Sequence, residues 1–262
     1  MQLIGLWRYP VKSLQGEQLD SARVEDDGLL GDRRWGIEDQ DTGRILTARR
    51  RPELLAAAAS YDGDVPLISL PDGRLATGPG SRTDRMLSEW LGTSVSLVSS
   101  GGKDPGRAEF FADATDDTSQ AIEWTMPAHR FVDAAPLLLL TTSSLRIGEA
   151  LHPDGAWDPR RFRPNLLIDV EGEGWVEDQW IGQPLRVGTA TLVATEQCIR
   201  CTMVTRPQPG LDVDVDVFRT LARHHVGRFG VWSEVLMAGK VSLGDVASLA
   251  ATGSTEPGLP VS

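Results

Sequence analysis

The sequence predicts a mainly β protein with a few helices, an α+β fold built as two β-rich halves. Three observations carry this. Short apolar runs bounded by Gly, Pro and Asp recur along the chain, too short for helices and punctuated where strands end. Stretches with helical periodicity are few. Between Ser99 and Asp117 the composition turns loop-like, "SSGGKDPGRAEFFADATDD", which predicts a boundary near residue 125 and two domains over 1–125 and 126–262.

The elements follow in chain order. "LIGLWRYPV" is an apolar, aromatic-rich strand that stops at Pro10. "RRWGIEDQDTGRILTAR" is a hairpin about Asp41-Thr42-Gly43, and "VPLISLPDGRLATG" repeats the device at Pro71-Asp72-Gly73. "RPELLAAAASY" predicts a short helix. "SRTDRMLSEWLG" predicts a longer one, with Met86, Leu87, Trp90 and Leu91 on one face and Gly92 as its C-cap. In the second half "PLLLLTTSSLRIGEAL" is a buried strand running into a helix capped by Thr142 or Ser143. "PNLLIDV", "PLRVGTATLVATEQ" and "GKVSLGDVASL" are β-rich. "DVDVDV" alternates with period two and predicts a half-exposed strand. It leads into the helix "VDVFRTLARHH", whose inner face is Val217, Leu221 and Ala222. The sum predicts a barrel or strongly curved sheet in each half.

Bulk properties exclude several classes of function. The net charge is −11 and the pI about 4.8, which argues against a general nucleic-acid binder. No apolar run is long enough to cross a bilayer, and "MQLIGLWRYP" lacks the features of a signal peptide. Two cysteines cannot staple a fold of 262 residues, so the expected setting is a reducing cytoplasm. Lysine occurs only at Lys12, Lys103 and Lys240, every other cation being arginine. The arginines bunch at Arg49–Arg51 and at Arg160, Arg161 and Arg163. Such clusters on an acidic chain leave room for one anionic small ligand held by guanidinium forks.

Both cysteines, Cys198 and Cys201, lie in "EQCIRCTMVTRPQPG". A zinc site needs a second pair of ligands, and the four histidines offer only the adjacent His224-His225 nearby in sequence. A thioredoxin-like dithiol needs the pair at a helix N-terminus, but Pro207 and Pro209 keep the following residues from forming one. A single soft-metal ligand is the third chemistry, with Arg200 beside Cys201 favouring the thiolate.

"RCTMVTRPQPG" resembles the segment that carries the metal-binding cysteine of MOSC-domain proteins, in particular the branch of the amidoxime-reducing components. "YPVKSLQGE", "GDRRW", "TARRRPEL", "RFRPNLLI", "EDQW" and "GKVSLGDVASL" resemble further landmarks of that family, in family order. The resemblance implies a MOSC-type β-barrel preceded by a MOSC-associated β-rich domain. It implies that Cys201 ligates molybdenum and that Lys12, Ser13 and Arg33 hold the phosphate of a molybdopterin cofactor. Arg163 and Asn165 would grip the pterin side, Asp133 would contact the cofactor, and Arg200 precedes the ligand as in relatives. Ala134 and Ala135 depart from the family, which often has hydroxyl residues there.

The activity the resemblance implies is reduction of small N-hydroxylated compounds, with Glu177 or Asp178 as proton relays beside Cys201. Electrons would come from a separate donor protein, because no cysteine beyond Cys201 exists to ligate an iron–sulfur cluster. Two other readings stay open at the level of sequence. One is a carrier of molybdenum cofactor or of sulfur, without turnover. The other is a C-x-x-C thiol-redox or zinc protein.

Overall fold

Pro10 supplies no backbone N–H and ends the first strand, β1 (Gln2–Arg8), but that strand does not stay with the half of the chain that begins there. The computed structural model describes residues 1–101, 106–111, 113–114, 116, 119–127 and 129–250. After β1 come β2 (Glu17–Gln18), β3 (Ser21–Glu25), β4 (Gly28–Leu29), β5 (Trp35–Asp39), β6 (Arg44–Ile45), β7 (Ala58–Asp62), β8 (Val65–Ser69) and β9 (Leu75–Thr77). Helix α1 (Ser81–Leu91) leads to β10 (Val95–Ser99), β11 (Arg107–Phe111), β12 (Ala121–Thr125) and β13 (Leu137–Thr141). Then follow α2 (Thr142–Leu151), α3 (Pro159–Phe162), β14 (Leu166–Asp169), β15 (Pro184–Val187), β16 (Ala190–Ile199), α4 (Val215–His225), β17 (Arg228–Met237), β18 (Gly239–Ser242) and β19 (Ala247–Leu249).

The main sheet has eight strands in the order β19-β15-β16-β17-β13-β14-β1-β2 and curls into a half-barrel. β1 runs antiparallel to β14, with Leu3 opposite Ile168 and Leu6 opposite Leu166, and β13 lies parallel to β14 on its other side. β3 pairs antiparallel with β18, Val24 opposite Gly239. Strand pairing therefore crosses the division expected near residue 125. The buried Leu3, Leu6, Leu137, Leu139, Leu166, Ile168, Leu192 and Val231 form the core inside the curl. A second core joins β5, β8, β10 and α1 through Ile37, Ile68, Leu97 and Leu87, with Leu54 and Leu55 filling it from a 3-10 turn at Pro52–Ala56. A third is aromatic. Phe162 packs 4.2 Å from Phe229 and 5.9 Å from Trp157, and Val217, Phe218 and Leu221 of α4 close over them.

Several sequence expectations need correction. Residues 52–56 form a 3-10 turn that gives way to β7, not an α-helix. The expected loop contains β11, which pairs with β12, although part of the 99–117 stretch and residues 251–262 lie outside the described residues. "DVDVDV" forms no strand, because Asp214 caps α4 by accepting from the N–H groups of Asp216 and Val217. Phe218, not the exposed Ala222, completes the inner face of α4. Thr141 is the α2 cap, one residue earlier than expected. A single 3-10 turn, Thr202–Thr205, fits between Cys201 and Pro207.

Two polar devices hold the sheet. Asn165 is fully enclosed. Its Oδ1 accepts from the Leu138 N–H at 3.1 Å, and its Nδ2 donates to the Trp7 carbonyl at 3.3 Å, tying β13 to β1. Asp178 latches the 3-10 turn Val176–Trp180 to the end of α4. Its Oδ2 accepts from His225 Nε2 at 2.7 Å and from Gln197 Nε2 at 2.6 Å, while His225 Nδ1 donates to the Arg228 carbonyl at 2.9 Å. Trp175 stacks on the His225 ring at 4.3 Å. Burial works against the charged imidazole, but the hydrogen bonds to Asp178 and Arg228 outweigh it and hold its pKa above the ordinary value. No helix among the described residues is long and apolar enough to cross a membrane.

Asn165→Leu leaves the Leu138 N–H and the Trp7 carbonyl without their partner, and is expected to lower the unfolding free energy by about 2–4 kcal/mol, measured by urea denaturation. The His225 latch has a pH signature. Because its pKa is raised on folding, its contribution is complete below the unfolded value near 6.5 and fades as pH rises through the higher folded value. His225→Gln is expected to flatten that alkaline loss of stability relative to wild type. Parallel melting curves taken from about pH 5.5 to 8.5 check this.

Candidate functional site

Four turns of the chain, all at ends of regular elements, bring the expected residues together. After Pro10, Lys12 is fixed by its N–H donating to the Trp35 carbonyl at 2.8 Å, and Ser13 turns into the left-handed region at φ 71°. The Ser13 hydroxyl is used within the fold, accepting from the Ala48 N–H at 2.9 Å. Arg33 is also left-handed, at φ 50°, locked by its N–H donating to the Tyr9 carbonyl at 2.7 Å. Arg163 ends α3 in the same conformation, at φ 56°. These are three of the five non-glycine residues with positive φ among those described. The conformation is costly for side chains with a Cβ, and it concentrates where surrounding structure enforces a functional geometry.

Lys12 is buried, and its Nζ donates to the Phe131 carbonyl at 3.3 Å and to Asp133 Oδ1 at 2.5 Å. The Asp133 side chain is 67% accessible. Desolvation pushes its carboxyl upward. Lys12, and beyond it Arg33 and Arg163, outweigh that and hold its pKa below the usual carboxylate value.

The arginines of this region divide by what their donors do. Arg161 donates to the carbonyls of Ala156, Val204, Arg206 and Asp212 at 2.6–3.3 Å, fastening the turn after Cys201 to α3. Arg200 donates to the Phe229 carbonyl from Nε and Nη2 and to the Phe162 carbonyl from Nη1, at 2.5–2.9 Å. Arg130 serves the Leu29 and Asp32 carbonyls and Asp27. Arg160 is folded onto Asp158. Arg33 and Arg163 differ. The Arg163 guanidinium makes one hydrogen bond among the described residues, from Nη1 to the Leu14 carbonyl at 2.6 Å, and Arg33 only a 3.5 Å contact with Asp32. Neither has a nitrogen that is both sealed from water and without a partner among the described residues. Burial and the like charge of Arg33 lower the Arg163 pKa to about 10, which leaves it cationic at neutral pH.

Cys201 follows Arg200 at the end of β16 and heads the 3-10 turn, partly accessible, while Cys198 is buried. Burial pushes the Cys198 thiol up to about 11. Burial also raises the Cys201 thiol, against the Met203 N–H and the nearby Arg49. The expected activation by Arg200 is thus outweighed, because that guanidinium is turned onto two carbonyls. Asp133 acts on Cys201 as well, so the thiol, the carboxylate and the cations around it share one electrostatic neighbourhood. No three His, Cys, Asp or Glu side chains among the described residues converge as a metal cage.

The remaining expected residues lie differently. Asn165 is committed to the backbone of β1 and β13. Asp178 belongs to the latch on His225. Glu177 is enclosed, its Oε2 accepting from Thr141 Oγ1 at 2.6 Å, and burial raises its carboxyl pKa. The described hydrogen bonds of these two carboxylates run to Thr141, Gln197 and His225, not to Cys201. Two participants, Tyr9 and Asp32, are not singled out by the sequence, and Arg49 stands there only as part of an arginine cluster. Tyr9 underlies both open arginines, with Arg163 at 4.3 Å and Arg33 at 5.3 Å from its ring centroid. Asp32, fully buried, accepts from the Tyr9 N–H at 2.7 Å. Arg49 lies 4.3 Å over the Phe111 ring and donates to the Asp113 and Asp116 carbonyls, beside the point where the Thr202 N–H reaches the Ala114 carbonyl at 3.2 Å. Only the position of Tyr9 before "PVKS" and of Asp32 before Arg33 signalled the first two.

Comparison with known proteins follows the same two halves. The profile of the MOSC N-terminal beta barrel domain matches residues 1–117, and that of the MOSC domain matches residues 127–248. Human mitochondrial amidoxime reducing component 2 is 24% identical over 224 residues, which cover 76% of this chain and 65% of that protein. Molybdenum cofactor sulfurase of Oryza sativa subsp. japonica is 26% identical over 238 residues, covering 76% of this chain and 28% of that one. That of Drosophila grimshawi is 28% identical over 251 residues, covering 88% and 32%. The chain thus spans just under two thirds of the first relative and a third or less of the sulfurases. Among solved structures, the YuaD protein of Bacillus subtilis aligns with a TM-score of 0.46 at 13% identity, over 94% of this chain and 93% of that one. With two profiles matched in succession over most of its length, the chain belongs to the MOSC family, an N-terminal MOSC β-barrel domain followed by a MOSC domain.

Proposed function

We propose that this protein binds molybdenum cofactor and reduces N-hydroxylated compounds with electrons from a separate donor protein. The observation that carries the reading is the contrast among the arginines of this region. Arg33 and Arg163 keep donors free around Asp133, whose charge also reaches the partly accessible Cys201 thiol, whereas Arg130, Arg161 and Arg200 commit theirs to the fold. A phosphate-bearing anion satisfies such forks, and a thiolate suits a soft metal. In this reading Cys201 supplies the metal-binding sulfur, Arg33 and Lys12 hold the phosphate, and Arg163 reaches the pterin side. Ser13 contributes its strained turn, and Asp133 steers Lys12. Arg200 and Asn165 shape the site from behind instead of touching the ligand.

The raised thiol pKa of Cys201 means that metal binding displaces a proton, so cofactor loading is pH-dependent. When bound, the cofactor supplies a two-electron couple, and with two protons the N–O bond of the substrate gives an N–H group and water. Glu177 and Asp178 act on protons only through Thr141 and His225. The names of the relatives support the two parts of the reading, molybdenum cofactor sulfurase the cofactor and amidoxime reducing component the reduction. A cytoplasmic location accords with two free cysteines.

The two thiols are unequal, and that inequality separates this reading from a dithiol or zinc site. Cys201→Ser is expected to lower bound molybdenum and turnover with reduced viologen at least about ten-fold, because a hydroxyl is a poor ligand for a soft metal. Cys198→Ala is expected to keep both, losing only packing stability. Equal losses in the two variants, by elemental analysis and hydroxylamine reduction, sink the single-ligand assignment. Arg33→Ala and Arg163→Ala should each weaken cofactor retention by roughly ten- to a hundred-fold, since a charge-assisted hydrogen bond is worth about 1.5–3 kcal/mol. Pterin fluorescence per chain after dialysis measures that loss.

A further inference from the structure

We infer that Tyr9 is the positioning residue of the anion site, a rigid platform whose ring holds both Arg33 and Arg163 in place while leaving them donors for an anion. The inference rests on the cofactor reading above and assigns a role to a residue that makes no claim on the cofactor itself.

Two like charges do not settle next to each other unaided, and here Arg33 adds to the lowering of the Arg163 pKa. Both guanidiniums lie over the Tyr9 ring, at 5.3 Å and 4.3 Å from its centroid, where the negative face of the π system offsets their repulsion. Tyr9 itself is also tied to the chain beside each arginine. Toward Arg33, the Tyr9 N–H donates to Asp32 Oδ1 at 2.7 Å and its carbonyl accepts from the Arg33 N–H at 2.7 Å. Toward Arg163, the Tyr9 hydroxyl donates to the Pro164 carbonyl at 3.1 Å. One residue thereby links, through its backbone and its side chain, two turns that are far apart in sequence, each left-handed at its arginine. Asp32 completes the device. It is fully buried, and its second oxygen, without a hydrogen bond, lies 3.5 Å from Arg33 Nη1.

The arrangement explains how cations can be held in place without using up their hydrogen bonds. A carbonyl or carboxylate cradle, like those of Arg161 and Arg200, fixes a guanidinium by consuming the donors that an anion would need. An aromatic face fixes it from the side that carries no N–H. Tyr9 is not a proton donor in this scheme, because burial drives its phenol pKa well above the ordinary value. It is only 2% exposed, so contact with a ligand is not its means of action.

The test combines two readouts, inorganic phosphate binding to the cofactor-free chain by calorimetry and pterin retained per chain after gel filtration of the holoprotein. Tyr9→Phe keeps the ring and should hold both within about two-fold. Tyr9→Leu removes the π face and should weaken both about ten-fold; Tyr9→Met replaces it if the leucine chain does not fold. In an Arg33→Ala/Arg163→Ala background, Tyr9→Leu should add no further loss, since the platform then has nothing to hold. Wild-type affinity in Tyr9→Leu overturns the inference, as does a full additional loss in the double-alanine background, which marks general packing. If the double-alanine chain alone retains phosphate and pterin like wild type, the cofactor reading itself has failed.

Discussion

The cost of burying a guanidinium orders this molecule. A charge taken out of water must recover its lost hydration from fixed partners, or the fold does not tolerate it. Arg130, Arg161 and Arg200 meet that demand with backbone carbonyls, and in doing so they splice loops together. Arg161 alone joins α3 to the turn after Cys201 and to Asp212. Arg200 clasps Phe229 and Phe162, the residues at the centre of the aromatic core. Gly230 makes that clasp possible. At φ +75°, a Cβ there would stand 2.7 Å from the Leu139 carbonyl and 3.4 Å from Arg200 Nη2. The segment that carries Cys201 is therefore held by arginines whose donors are already committed to the fold.

Backbone strain adds a second layer of control. Ser13, Arg33 and Arg163 sit at element ends where a glycine would be less strained, and each is pinned by a short backbone or side-chain hydrogen bond. The stability given up there is recovered in the two large apolar cores, whose residues make no demand on the site. A site assembled from constrained turns moves little when a ligand arrives, so less ordering entropy opposes binding.

Much of this was legible in the sequence, for physical reasons. The hairpins about Gly43 and Gly73 and the helix capped by Gly92 announced themselves because turn chemistry is local. Lys12, Arg33, Arg163 and Cys201 stood in motifs whose order and spacing matched a family. What could not be read was the use of each charge. Arg160, Arg161 and Arg163 lie within four residues, yet one chelates Asp158, one binds carbonyls and one stays open, a division made by partners up to 149 residues away. "DVDVDV" misled because its period-two pattern carries no sign that Asp214 would cap a helix. The latch of Asp178 on His225 was hidden for a related reason, since it joins residues 47 positions apart.

The shared sheet has a consequence for biogenesis. β1 is synthesised before every other strand described, and its partner β14 follows only after a long intervening stretch has been made; β3 waits longer still for β18. The apolar edge carrying Leu3 and Leu6 is thus exposed while the ribosome works, and the loop entropy of a very long closure must be overcome before the pairing rewards it. Long-range pairing of this kind slows folding, because the closure entropy must be overcome first. It also means that neither half is a transferable module: a gene fusion that cuts between them would sever the hydrogen-bond ladder on which both depend.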